Sequence, residues 1–180
     1  MFRMATGSGK TVVMAGLILF LYKQGYRRFL FFVNRENIIH QTREVFLNNA
    51  CSKYLFNDMI WVDNRRVSIN EVDTFRSVDL NAINIHFTTV QGLHNSLNSP
   101  KESSLTYEEL EDLDIVLISD ETHHINVETQ SSVNKGKLNH LNWEQTVNRV
   151  FKSRTKNLLL EFTATPVSYT HLTLPTIYSV

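Results

Sequence analysis

Two glycines, a serine, a lysine and a threonine stand together at Gly7-Ser8-Gly9-Lys10-Thr11, directly ahead of an apolar run over 12–22. Glycine adopts backbone conformations that a Cβ forbids, so such a segment can curl its amides around an anion. The lysine ammonium supplies a point charge for phosphate oxygens, and the threonine hydroxyl is a ligand for Mg²⁺. The stretch Met4-Ala5-Thr6-Gly7-Ser8-Gly9-Lys10-Thr11 matches the second half of a nucleotide-binding loop, with Met4 where the strict G-x-x-x-x-G-K-[ST] pattern has glycine. A second chemical feature is the carboxylate pair Asp120-Glu121, which follows the apolar run 114–119. Ligands of open α/β sheets bind beyond the carboxyl ends of the strands, so the pair is expected on a strand neighbouring that of the loop. There Asp120 would hold the Mg²⁺ shell, while Glu121 would orient and deprotonate an attacking water. His123 and His124 lie beside the pair without H-E-x-x-H spacing, so a zinc site is not expected.

The elements that must position these groups alternate along the chain. A helix is expected from near Lys10, with Val13, Leu17 and Leu21 on its buried side and Gly25 as its left-handed C-cap. Residues 29–33 (FLFFV) read as a strand buried on both faces, and 38–47 as the next helix. Shorter strands are expected at 60–62 and 83–88, while the polar stretch 63–81 gives no assignable pattern. Residues 95–104, with Pro100, read as a surface loop. Thr106 and Glu109 have capping-box spacing: the hydroxyl accepts from the amide three residues on and the glutamate reaches back. Residues 114–119 (DIVLIS) form the clearest central strand, a helix is expected over about 142–152 after a polar loop carrying His140, and 157–162 is the last strand. Strand, helix, strand in this order implies an α/β fold with a parallel sheet and right-handed crossovers.

Composition narrows the class further. With 180 residues the chain fits one domain. Eighteen basic residues balance eighteen acidic ones, so contact with a polyanion must be local. The composition, 42% hydrophobic and 20% charged, is that of a folded protein rather than a disordered one. Cys51 is the only cysteine, which excludes an internal disulfide and a cysteine zinc cluster; it reads as a small buried apolar residue in a cytoplasmic protein. The apolar run at 12–22 is shorter than the roughly 20 residues of a membrane span, and no small-x-small cleavage site follows it. Residues 167–180 carry no charge and break the helix and strand rhythm; they are expected to be a non-native tail to a domain over 1–166.

Taken in order, these motifs resemble the first RecA-like motor domain of superfamily 2 helicases and translocases, most of all the Res subunit of type III restriction enzymes. The resemblance rests on MATGSGKT at 4–11, Phe32-Val33-Asn34-Arg35 followed by Gln41, Phe87-Thr88-Thr89-Val90-Gln91, Asp120-Glu121-Thr122-His123-His124, and Phe162-Thr163-Ala164-Thr165-Pro166. It implies a RecA-like P-loop NTPase fold with ATP and Mg²⁺ as cofactors. Thr6, Gly7, Ser8, Gly9, Lys10 and Thr11 would bind the nucleotide, Thr11 and Asp120 the metal, and Lys10, Asp120 and Glu121 would serve catalysis. His123, Thr163 and Thr165 would couple the ATP state to DNA movement, and Arg35, Thr88, Thr89 and Gln91 would face the DNA backbone. A second RecA-like domain and a modification methyltransferase subunit are the implied partners, with no membrane. An RNA helicase, a repair or transcription translocase, and a fragment that binds ATP or nucleic acid without turnover are the alternatives.

Overall fold

The computed structural model describes residues 2–5, 7–56, 60–120 and 135–163, and the side chains of all of these except 135–142. The chain runs β1 (Phe2–Arg3), α1 (Lys10–Lys23), β2 (Arg28–Val33), α2 (Glu36–Leu47), β3 (Ile60–Val62), β4 (Arg65–Val67), β5 (Ile69–Glu71), β6 (Ile83–Thr89), α3 (Val90–Asn98), α4 (Tyr107–Glu111), β7 (Val116–Asp120), α5 (Lys135–Lys152) and β8 (Leu158–Thr163). Six strands form one sheet in the order β1-β8-β7-β2-β6-β5, and every pairing in it is parallel.

Strand β2 is central, paired with β6 on one side and β7 on the other. Its apolar run has no alternation because both faces are covered. Phe29, Phe31 and Val33 pack with α1 and α2, while Leu30 and Phe32 pack with α3, α4 and α5. This three-layer arrangement is the expected α/β architecture.

Helix α1 ends as its sequence requires. Gly25 takes φ 102°, its amide donates to the Tyr22 carbonyl at 3.0 Å, and the Tyr26 amide donates to the Leu21 carbonyl at 3.0 Å, which is a Schellman closure. The buried face differs from expectation: Met14, Ala15, Ile18, Leu21 and Tyr22 are inside, whereas Val13 and Leu17 are half-buried. A helix apolar on all sides gives periodicity no face to select.

Other departures have local causes. The unassigned stretch contains β4 and β5, three residues each and too short for a period to register. Strands β3 and β4 form a hairpin whose two loop residues, Asp63 (φ 49°) and Asn64 (φ 63°), are both left-handed as a type I′ turn demands. Helix α3 continues to Asn98, into the stretch read as a loop, because its polar residues bond within the helix and across it. Gln91 Nε2 donates to Asn95 Oδ1 at 2.8 Å, Asn98 Nδ2 donates to the His94 carbonyl at 2.8 Å, and His94 Nδ1 pairs with Thr146 Oγ1 of α5 at 2.8 Å.

Helix α5 starts at Lys135, so His140 lies in a helix rather than a loop; Gly136 and Asn139 had masked the helical propensity. Cys51 is partly exposed, in the turn after α2, and is not a core residue. At α4 the Thr106 hydroxyl caps the Glu109 amide at 3.3 Å, but Glu109 does not reach back. It is buried, accepting from the Phe75 amide and, at 3.2 Å, from Arg76 Nε. Its neighbour Glu108 serves the cap: its own amide and the Thr106 hydroxyl hold its carboxyl below the ordinary glutamate value.

Asn157 fastens the far end of the sheet. Its buried side chain accepts from the Ile115 amide at 2.9 Å and donates to the Val150 carbonyl at 2.8 Å and to Ser153 Oγ at 3.2 Å. Asn157→Ala strands the Ile115 amide in the interior, while the Val150 carbonyl keeps its bonds from the Ser153 amide and hydroxyl, and is expected to cost about 1–3 kcal/mol. Urea unfolding measures this, and an unchanged midpoint would show that the staple contributes nothing.

Candidate nucleotide site and sheet edge

The phosphate loop begins where β1 stops. Met4 donates its amide to the Thr163 carbonyl at 2.9 Å, holding the chain on the sheet for one more residue. The loop then closes through Ser8, whose amide (3.1 Å) and hydroxyl (2.6 Å) both donate to the Ala5 carbonyl. Gly7 (φ 77°) and Gly9 (φ 88°) are left-handed, and a Cβ built on either meets no atom within 4 Å. The need for glycine here is conformational, not steric. Gly9 occupies the N-cap of α1 and places no capping side chain over the first turn, so the positive end of the helix dipole opens into the cleft. Gly7, Gly9, Lys10 and Thr11 line that cleft.

The carboxylate arrives from β7, whose last residue is Asp120. Lys10 Nζ lies 3.8 Å from Asp120 Oδ1, with the two side chains 10% and 15% exposed. Loop and carboxylate thus share one site, although their strands are not neighbours as expected. β8 lies between them, with Phe162 in register with both Phe2 and Asp120. The intervening strand carries Thr163, which is 3% exposed and paired with Arg3. Thr6, Glu121, His123 and Thr165 lie outside the described residues.

The donor set suits a hard cation held together with phosphates. Among the described residues no three or more histidines, cysteines or carboxylates gather to form a metal site. Magnesium does not need such a cage: it takes one or two protein oxygens, which here the Asp120 carboxylate and the Thr11 hydroxyl would supply, with phosphate oxygens and water completing the shell.

A second polar region lies along the same carboxyl edge. Arg35 is exposed at the N-cap position of α2, and Thr88 and Thr89 stand beside Phe32 and Val33 at the ends of paired strands. Thr88 and Thr89 line a polar cavity of about 320 Å³ with Glu36, His40, Arg43 and Gly92. Thr89 also caps α3, accepting from the Gly92 amide at 2.9 Å. A Cβ at position 92 would meet Thr88 Oγ1 at 2.8 Å and Thr89 Oγ1 at 3.0 Å, which explains the glycine. Gln91 is exposed and bonded to Asn95 rather than lining this cavity.

Sequence reasoning missed Glu36, His40 and Arg43. Their i, i+4, i+7 spacing on one helix face was the available signal. Arg43 pairs with Glu71 and lies 5.7 Å above the Phe87 ring, so its charge is partly neutralised within the fold.

A family model described as "Type III restriction enzyme, res subunit" matches residues 1–168. The chain belongs to that family. The Res family resemblance read from the motifs is therefore correct, and the sheet and its flanking helices are those of a RecA-like P-loop domain. Among the relatives of this Res family chain is the probable type III restriction-modification enzyme HindVIP Res subunit of Haemophilus influenzae (strain ATCC 51907 / DSM 11121 / KW20 / Rd). It is 36% identical over 183 aligned residues, covering 92% of this chain and 35% of the relative. The chain thus spans about a third of the length of that Res subunit. Among the described residues no helix is long and apolar enough to cross a membrane.

Proposed function

We propose that this domain binds ATP with Mg²⁺ and serves as the nucleotide-hydrolysing half of a DNA translocating motor in a cytoplasmic type III restriction enzyme. The observation that carries the reading is the meeting of Lys10 and Asp120 at 3.8 Å beneath a loop whose glycines are already in the left-handed conformation. Gly7, Ser8 and Gly9, with Thr6 before them, cradle the phosphates, and Lys10 neutralises the oxygens of the terminal two. Thr11 and Asp120 hold the metal, which when bound withdraws charge from the phosphoryl group being transferred. Glu121 accepts the proton of the attacking water. Thr163, buried on the strand between loop and carboxylate, couples the occupied site to movement, together with His123 and Thr165.

Arg35, Thr88, Thr89 and Gln91 are the DNA-facing set on this reading, supported by the polar carboxyl edge on which they sit. Contacts of this kind address phosphates and are largely independent of base sequence. A second RecA-like domain and a modification methyltransferase subunit complete the machine. Family membership favours this motor over an RNA helicase or a repair translocase.

Titration calorimetry followed by anisotropy with labelled duplex DNA tests the proposal. One Mg²⁺-ATP per chain is expected, with DNA affinity falling steeply between about 50 and 200 mM salt. Absence of nucleotide binding overturns it.

A further inference from the structure

The cleft at the phosphate loop is larger than phosphates require. It continues past Thr11 into a cavity of about 570 Å³ in all, walled by Val12, Val45, Tyr54 and Leu55, with Ser52 and Lys53 at its rim. Roughly 300–1,000 Å³ is the range of pockets that enclose small organic ligands. Part of the lining is the phosphate loop with Lys10 and Thr11, and part is the aliphatic and aromatic residues Val12, Val45, Tyr54 and Leu55. A triphosphate satisfies the first part and has nothing to offer the second. Val12, on the first turn of α1, is 57% exposed, an apolar side chain left open beside the loop.

The far wall is fixed in place before any ligand arrives. Residues 48–55 turn back on α2 through three backbone bonds of 3.0 Å, from the Cys51 amide to the Asn48 carbonyl, from Tyr54 to Cys51 and from Leu55 to Val45. Phe56 is buried and meets the Phe46 ring edge-on at 5.3 Å, which anchors the segment to the core. Tyr54 is half-buried against the same core, so part of its ring is supported and part borders the cavity.

Building on the nucleotide reading, we infer that residues 52–55 form the wall that receives the sugar and base of the nucleotide, with Tyr54 as the base-contacting residue. An aromatic ring offers a flat apolar surface suited to any nucleobase, and its contribution is separable from that of the phosphates. The ligand class is therefore a nucleoside triphosphate rather than a bare polyphosphate.

The test compares Mg²⁺-ATP with Mg²⁺-tripolyphosphate by titration calorimetry on the whole chain. Wild type is expected to bind ATP more tightly. Tyr54→Ala is expected to weaken ATP about tenfold and leave tripolyphosphate unchanged, while Tyr54→Phe keeps both affinities. Retained tripolyphosphate binding also shows that the variant is folded. Equal wild-type affinity for the two ligands, unchanged ATP binding in Tyr54→Ala, or parallel loss of both ligands would overturn the inference. Lys10→Ala separates the two layers of argument: it weakens both ligands if the phosphate site is correctly assigned, and if it changes neither, the nucleotide reading itself falls.

Discussion

Lys10→Ala removes the charge proposed to hold the nucleotide phosphates, and the expected loss of Mg²⁺-ATP affinity is thirtyfold to several thousandfold, from about 2–5 kcal/mol for truncating one member of a buried charge pair. The magnitude follows from burial. At 10% exposure the lysine side chain is little screened by water, so an ammonium set against phosphate oxygens acts at a low effective dielectric. Truncation has a second effect, because Asp120 loses its ion pair at a position where its own side chain is 15% exposed. Binding and folding must therefore be read separately. The double variant Lys10→Ala/Asp120→Asn removes the stranded negative charge; it is expected to recover whatever thermal stability the single variant loses but none of the nucleotide affinity. Recovery of affinity in the double variant would mean that Lys10 acts only by holding Asp120 in place.

Legibility in the sequence followed the range over which each signal acts. Residues 29–33 and 115–118 declared themselves as central strands because layers on both faces demand unbroken apolar runs. Gly25 marked its Schellman closure because that requirement is local to a single backbone angle. The face of α1 was not legible, since a helix apolar on all sides is oriented only by what it meets. Glu109 had the spacing of a capping residue, yet the fold draws it to the Phe75 amide 34 positions away, a partner no window on the sequence contains.

The candidate site divides in the same way. The loop conformation and the strand-end position of Asp120 follow from local chemistry and the carboxyl-edge rule. The insertion of β8 between their strands is a matter of topology. Arg43 and Tyr54 carried no motif; they reach their cavities because α2 and the turn after it pack beside the sheet edge.

Asp120→Asn is expected to shrink the advantage that Mg²⁺ gives to ATP binding while leaving metal-free binding intact or tighter. The sign comes from electrostatics at Lys10. On the proposed reading the Asp120 carboxylate would do two opposed things: without metal it pairs with the lysine, 3.8 Å away, and would repel the incoming phosphates, and with metal it would serve as a ligand that draws cation and nucleotide together. Asparagine retains the shape and an oxygen but removes the negative charge. In EDTA the repulsion disappears, so ATP binds at least as well as to wild type. With Mg²⁺ the gain attributable to the metal shrinks by about 10–100-fold, the scale on which perturbing a metal's supporting groups acts. Titrations of ATP with and without Mg²⁺, on both proteins, give the four affinities whose ratio isolates the coupling. A Mg²⁺ advantage unchanged by the substitution would remove Asp120 from the metal shell, and its approach to Lys10 would then be an ion pair that stabilises the loop. The same measurement on Thr11→Val reports on the other protein oxygen, and a reduced Mg²⁺ advantage in both variants would assign the metal to a position between α1 and β7.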